Sequence, residues 1–241
     1  MISRRVALAC VLAAGAVGLA TGCGDSSPTG PTTTGATNTV PTTTTTTTPT
    51  TPTLEQAVIW PAADASFARP RQAARDFVTK ALKVPVSLGA FQAGDARSGE
   101  IALQFMGEGG GGPPRIRSTL LLRRLGPTGS WYVIGAANPN ASITVPTAGA
   151  TVPAGPVTVR GKARGFEGAV NVTAFLAGDA DTEFDTALAT GGSLATPKPY
   201  TVTLDLSAAH PGDTVVILVR GGVGLETDPG DVGAIPVVIG P

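Results

Sequence analysis

The sequence predicts two folded parts in series: a small α+β domain, one helix on an antiparallel sheet, and then an all-β sandwich. Three observations predict it. Gly and Pro are abundant (32 and 21 residues) while charged and aromatic residues are scarce (14% and 5%), which suits many short strands joined by turns. A helical apolar pattern occurs at about residues 70–82. Period-two alternation then recurs from about residue 101 to residue 239, and residues 138–241 read as strand throughout.

The chain ahead of these parts is of another kind. Arg4 and Arg5 precede an apolar run over residues 6–19, and the small residues Ala20, Thr21 and Gly22 lead to Cys23. This is the layout of an export signal, and the run falls short of the about 20 residues a bilayer span needs. The ending Leu19-Ala20-Thr21-Gly22-Cys23 resembles the bacterial lipobox, with the favoured Leu one place further from Cys23 than in the commonest pattern. That resemblance implies a lipoprotein signal over residues 1–22, acylation of Cys23, and anchoring to the outer face of the cell membrane. The alternative is an ordinary secretory signal with a chance Cys. Cys10 would leave with the signal, so the mature chain has one Cys and no internal disulfide. Residues 23–53 are rich in Thr and Pro, with seven consecutive Thr at 42–48, and nearly lack bulky apolar side chains. They are expected to form an extended, disordered tether, either an O-glycosylated stalk or an unmodified spacer.

Within residues 54–137, Pro70 suits a first helical turn. Ala73/Ala74, Phe77/Val78 and Ala81/Leu82 make one apolar stripe, and Pro85 is read as the stop. Ile101, Leu103 and Phe105 alternate as a strand, as do Ile116, Leu120 and Leu122, and residues 131–136 read as a last strand. Each element has one apolar face, and laying the helix on the sheet hides them all. Gly107, Gly109 and Gly112 match G-x-G-x-x-G, but Pro113 and Pro114 stand where a phosphate-binding helix would begin, so a hairpin loop is expected. Arg115, Arg117, Arg123 and Arg124 form a cationic row, read as a solvated sheet face or as a surface for anionic wall polymer or lipid.

Asn138-Pro139-Asn140 marks the boundary. Beyond it, about seven short alternating strands in roughly 100 residues, with Gly and Pro between them, indicate an immunoglobulin-like sandwich without the Cys–Trp–Cys core of antibody domains. Residues 157–172 read VTVRGKARGFEGAVNV. Val157, Val159, Gly161, Ala163, Phe166, Glu167, Val170 and Val172 follow a recurring pattern, and the stretch resembles the immunoglobulin-like domain named for bacterial spore-germination proteins. Residues 143–152 and 235–239 are similar too. The resemblance implies a non-catalytic accessory module of exported envelope proteins. Gly161 and Ala163 are read as small residues that let the opposing sheet approach. Phe166 is read as a plug at the sandwich end and Glu167 as an acceptor for the turn's N–H groups; the other reading gives Phe166 and Glu167 to ligand binding. Residues 215–219 are apolar on both faces, so the second face is expected to meet neighbouring structure, the first domain or a partner. The short linker predicts docked domains.

One His (His210) and one mature Cys offer neither a zinc site nor a nucleophilic triad. Asp179, Asp181, Glu183 and Asp185 begin like a calcium loop, but Phe184 and Thr190 replace its Gly and terminal Glu. Glu226, Asp228 and Asp231 form a second acidic loop, expected at the opposite end. No metal and no cofactor is expected. With Arg4 and Arg5 removed, 15 basic face 17 acidic residues, and nothing points to nucleic acid. The expectation is a membrane-anchored bacterial envelope lipoprotein, not an enzyme, that binds an envelope protein or wall polymer. The alternative is an envelope hydrolase or transferase using Glu100 or Asp95 in an interdomain cleft.

Overall fold

The computed structural model describes residues 54–107 and 112–241. The signal, Cys23, the tether and Gly109 of the glycine loop lie outside them. Helix α1 (Pro70–Phe77) starts on its proline and buries Ala73, Ala74 and Phe77. It widens into a π turn (Val78–Leu82) that keeps Val78 and Leu82 buried, and Lys83, left-handed at φ 54°, ends it. The stop is therefore Lys83 in a helix-terminating conformation, two residues ahead of Pro85. The Lys83 ammonium then reaches Asp181 at 2.7 Å, which raises its pKa.

Four strands follow as an antiparallel meander: β1 (Leu88–Ala93), β2 (Ser98–Phe105), β3 (Arg115–Leu125) and β4 (Ser130–Ala137). Eight more are β5 (Ala141–Val145), β6 (Thr151–Val152), β7 (Pro156–Ala163), β8 (Ala169–Leu176), β9 (Asp179–Thr190), β10 (Lys198–Asp205), β11 (Thr214–Gly221) and β12 (Asp231–Ile239). Strand β9 corrects the reading of Asp179 to Asp185 as a loop: these acids lie along a sheet edge, paired with β8.

Strands β10-β7-β5 form a small sheet, and β12-β11-β8-β9, with β6 parallel to β12, face it as the other half of an immunoglobulin-like sandwich. Val157, Val159 and Leu204 meet Val172, Val215, Ile217 and Val237 in its core. The larger sheet does not end there. β12 pairs with β4 at Ala234 and Ala136, so β1–β4 extend the same sheet in the order β1-β2-β3-β4-β12-β11-β8-β9. Helix α1 and the π turn cover the other face of this sheet, where Phe77, Leu82, Leu103 and Leu120 pack in one core with Phe175, Val216 and Leu218. The second apolar face of β11 is thus buried against the helical layer. The helix-on-sheet arrangement is present, but its sheet is continuous with the sandwich, giving three layers.

The β4–β12 ladder consists of one residue pair. Beside it the incoming chain fills the gap: the Ile59 and Trp60 N–H groups donate to the Val133 carbonyl (2.9 and 3.1 Å), and Val133 N–H donates to Trp60 (2.7 Å). Trp60 Nε1 also donates to Asp76 at 2.8 Å, tying the segment to α1.

Candidate functional site

One end of the sandwich is built from three turns: β7 to β8, β9 to β10, and β11 to β12. Their backbones interlock. Gly165 N–H donates to Gly192 (3.0 Å), Gly191 N–H to Gly168 (2.8 Å) and Phe166 N–H to Gly222 (2.6 Å). A Cβ at Gly165 would stand 2.0 Å from the Ala169 carbonyl oxygen, so only glycine permits this approach. Because backbone closes the end, the Phe166 ring has no interior to fill and stands 51% exposed. Glu167 follows at φ 54°, exposed, and the Gly165, Phe166 and Gly168 N–H groups already donate to backbone carbonyls. Phe166 as plug and Glu167 as amide acceptor are therefore corrected: both side chains face outward.

Beneath these turns lies a buried ion network. Arg117 of β3 is 9% exposed and pairs with Asp228, itself 2% exposed, and lies 3.9 Å from Asp231. Asp231 accepts Arg164 Nε (2.7 Å) and Asn138 Nδ2 (3.2 Å), and Asn138 also donates to the Arg117 carbonyl (2.6 Å). Asp228 accepts Gly230 N–H (2.9 Å), while Arg220 donates to the Pro229 (2.6 Å) and Asp228 (2.9 Å) carbonyls. Burial lowers the Arg220 pKa and the Asp228 charge opposes this. Buried charges persist only when paired and hydrogen-bonded, and here two carboxylates meet two guanidinium groups. The Arg117 Nε lacks a hydrogen-bond partner among the described residues, and that guanidinium lies over Phe105, 5.8 Å from the ring centroid.

The network divides the cationic row. Arg117 is internal, Arg123 donates to Gln56 (3.3 Å), Arg124 donates to the Gly129 carbonyl (3.0 Å) over Trp131, and Arg115 is exposed. It also takes Asp228 and Asp231 out of the acidic loop. Sequence reading missed this pairing because Arg117 and Asp228 lie 111 residues apart and neither strand nor loop pattern marks them.

Beside the network is a pocket of about 260 Å³ whose polar lining is Arg115, Arg117, Arg164 and Asp228 and whose apolar lining includes Phe105, Leu194 and Leu225. Exposed apolar side chains stand on these three turns, Phe166 (51%), Leu194 (45%) and Leu225 (38%), and Met106 (38%) follows β2 next to Phe105 of the pocket wall. These are four of the seven large exposed apolar residues among the described residues, so this end is the main apolar surface. The carboxylates of the hydrolytic alternative lie elsewhere. Asp95 accepts Arg97 N–H (2.7 Å) in the β1–β2 turn, a bond that, with the Ser98 hydroxyl, lowers its pKa. Glu100 borders a groove of about 530 Å³ beside Ile143 and Ile235. His210 sits exposed in a turn, its Nδ1 3.5 Å from Asp213. Among the described residues no group of three or more His, Cys, Asp or Glu could hold a metal ion.

Residues 140–220 match the family model of the immunoglobulin-like domain of bacterial spore germination, about a third of the chain. No curated protein and no solved structure matches it. The match includes Phe166, Glu167, Arg164 and Leu194, and it leaves β1–β4 and β12 outside, with Arg117, Asp228 and Asp231.

Proposed function

We propose that the protein is a bacterial envelope lipoprotein, anchored through Cys23, whose loop end binds an envelope protein or wall polymer without transforming it. The observation that carries this reading is the exposure of Phe166, Leu194 and Leu225 on three interlocked turns above a buried ion network. Immunoglobulin-like sandwiches present ligand-binding loops at one end in the same way. The lipobox resemblance and the match over residues 140–220 support an accessory role at the envelope. A photo-crosslinking residue in place of Phe166, activated in intact cells, tests it. A discrete adduct is expected, lost when Leu225→Asp is added while the melting temperature is unchanged. An adduct pattern indifferent to Leu225→Asp would refute the loop-end surface. Cys23→Ala is expected to move the protein from the membrane fraction to the soluble fraction, and continued membrane retention would refute the anchor.

A further inference from the structure

We infer that the pocket at this end takes a terminal carboxylate borne on an apolar residue, the C-terminal end of a peptide chain. This rests on the loop end being a binding surface. Three arginines line the pocket, and Asp228 and Asp231 balance Arg117 and Arg164, which leaves the Arg115 charge over. What the pocket presents is therefore positive. Arg115 is exposed and has no ion pair among the described residues. Arg164 commits Nε to Asp231 and Nη1 to the Leu194 carbonyl (2.7 Å), leaving Nη2 to donate. Two guanidinium groups, one from β3 and one from the β7–β8 turn, can thus meet one planar anion, which suits a carboxylate.

The remaining wall is apolar. Leu194, Val223 and Leu225 offer a hydrocarbon surface that a bare inorganic anion would leave unused. At about 260 Å³ the pocket lies below the usual ligand range of roughly 300–1,000 Å³. It suits the end of a chain, one side chain and its carboxylate. Capture of a C-terminal carboxylate is a recurring mode of peptide recognition. Phe105 and Arg115 come from outside the matched domain, Arg164 and Leu194 from inside it, so neither part holds the pocket alone.

The same chemistry has two sources, a protein C-terminus of L-residues and a wall peptide ending in a D-residue. Titration calorimetry on the full-length protein in detergent separates them with Ala-Ala-Leu, with Ala-Ala-D-Ala, and with the C-terminal amide of each. At least one acid is expected to bind, with at least about a tenfold loss on amidation and about tenfold in Arg115→Gln. Preference for the L- or the D-ended acid identifies the source. Leu225→Asp should weaken the same peptide, and since Arg115 and Leu225 are exposed, both variants should melt as the parent does. Equal binding of acid and amide, unchanged affinity in Arg115→Gln, or no binding of either acid at millimolar concentration overturns the assignment. If the Phe166 adduct persists while neither acid binds, the carboxylate assignment falls and the loop-end surface stands.

Discussion

A Cβ on Gly161 would lie 1.8 Å from the Ser142 carbonyl oxygen and 2.9 Å from the Tyr200 ring. Both neighbours belong to strands of Gly161's own sheet, β5 and β10, where Tyr200 also donates to that carbonyl at 3.2 Å. The motif shows that a small residue is required here, but the reason differs from the one expected: β5 crowds in from the side, and the opposing sheet is not the constraint. Gly161→Ala should lose about 3 kcal/mol, read as a lower denaturant midpoint with an unchanged slope. Glu55 is legible only in three dimensions. Its carboxylate accepts Gly126 N–H at 2.8 Å and Arg97 Nη2 at 3.0 Å, which together hold its pKa at about 2 against an ordinary 4.5. The folded-state value is depressed, so its stabilisation is present above the unfolded value and lost as the pH falls from about 4.5 toward 2. Melts across that window should fall more steeply for the parent than for Glu55→Gln.

At the scale of elements, legibility followed regularity. α1, β7, β8, β10 and β11 keep one period over most of their length, and the sequence pattern located each of them. β1 and β9 were missed because bulges break their alternation, between Leu88 and Phe91 in one pairing and around Phe175 in the other. β3 was found but misjudged, since an arginine beside apolar neighbours reads as solvated until its partner is known. Arg117→Met should cost about 3–5 kcal/mol by denaturant unfolding, because Asp228 and Asp231 would keep their burial and lose a cation. Arg123→Ala, an exposed position, should stay within about 0.5 kcal/mol.

Across residues 54–241 the pattern changes at Asn138, while one sheet and one core run across that point. Asn138 is 8% exposed and holds β3 to β12, as does Ser118, whose hydroxyl donates to the Val232 carbonyl at 2.8 Å. No local pattern announces that β4 will pair with β12, since a single residue pair leaves no periodic trace. The double apolar face of β11 was the one readable sign of the joint. Expressed alone, residues 138–241 would uncover Phe175, Val216 and Leu218. That fragment should bind a hydrophobic dye and melt below the full chain, and an equally stable, dye-negative fragment would contradict the shared core.

The strap at Ile59 and Trp60 gives the protein a mechanical character. Tension on the chain ahead of Leu54 passes first to the Glu55 contacts and then to the hydrogen bonds with Val133, where β4 and β12 diverge. The joint that yields first is therefore this seam and not the sandwich. In an optical trap the earliest rupture should release roughly 20 Å of chain, the extended length of residues 54–60. A molecule pulled from its N-terminus thus carries a fuse, a strap that lets go while Asn138 and Ser118 still hold β3 to β12.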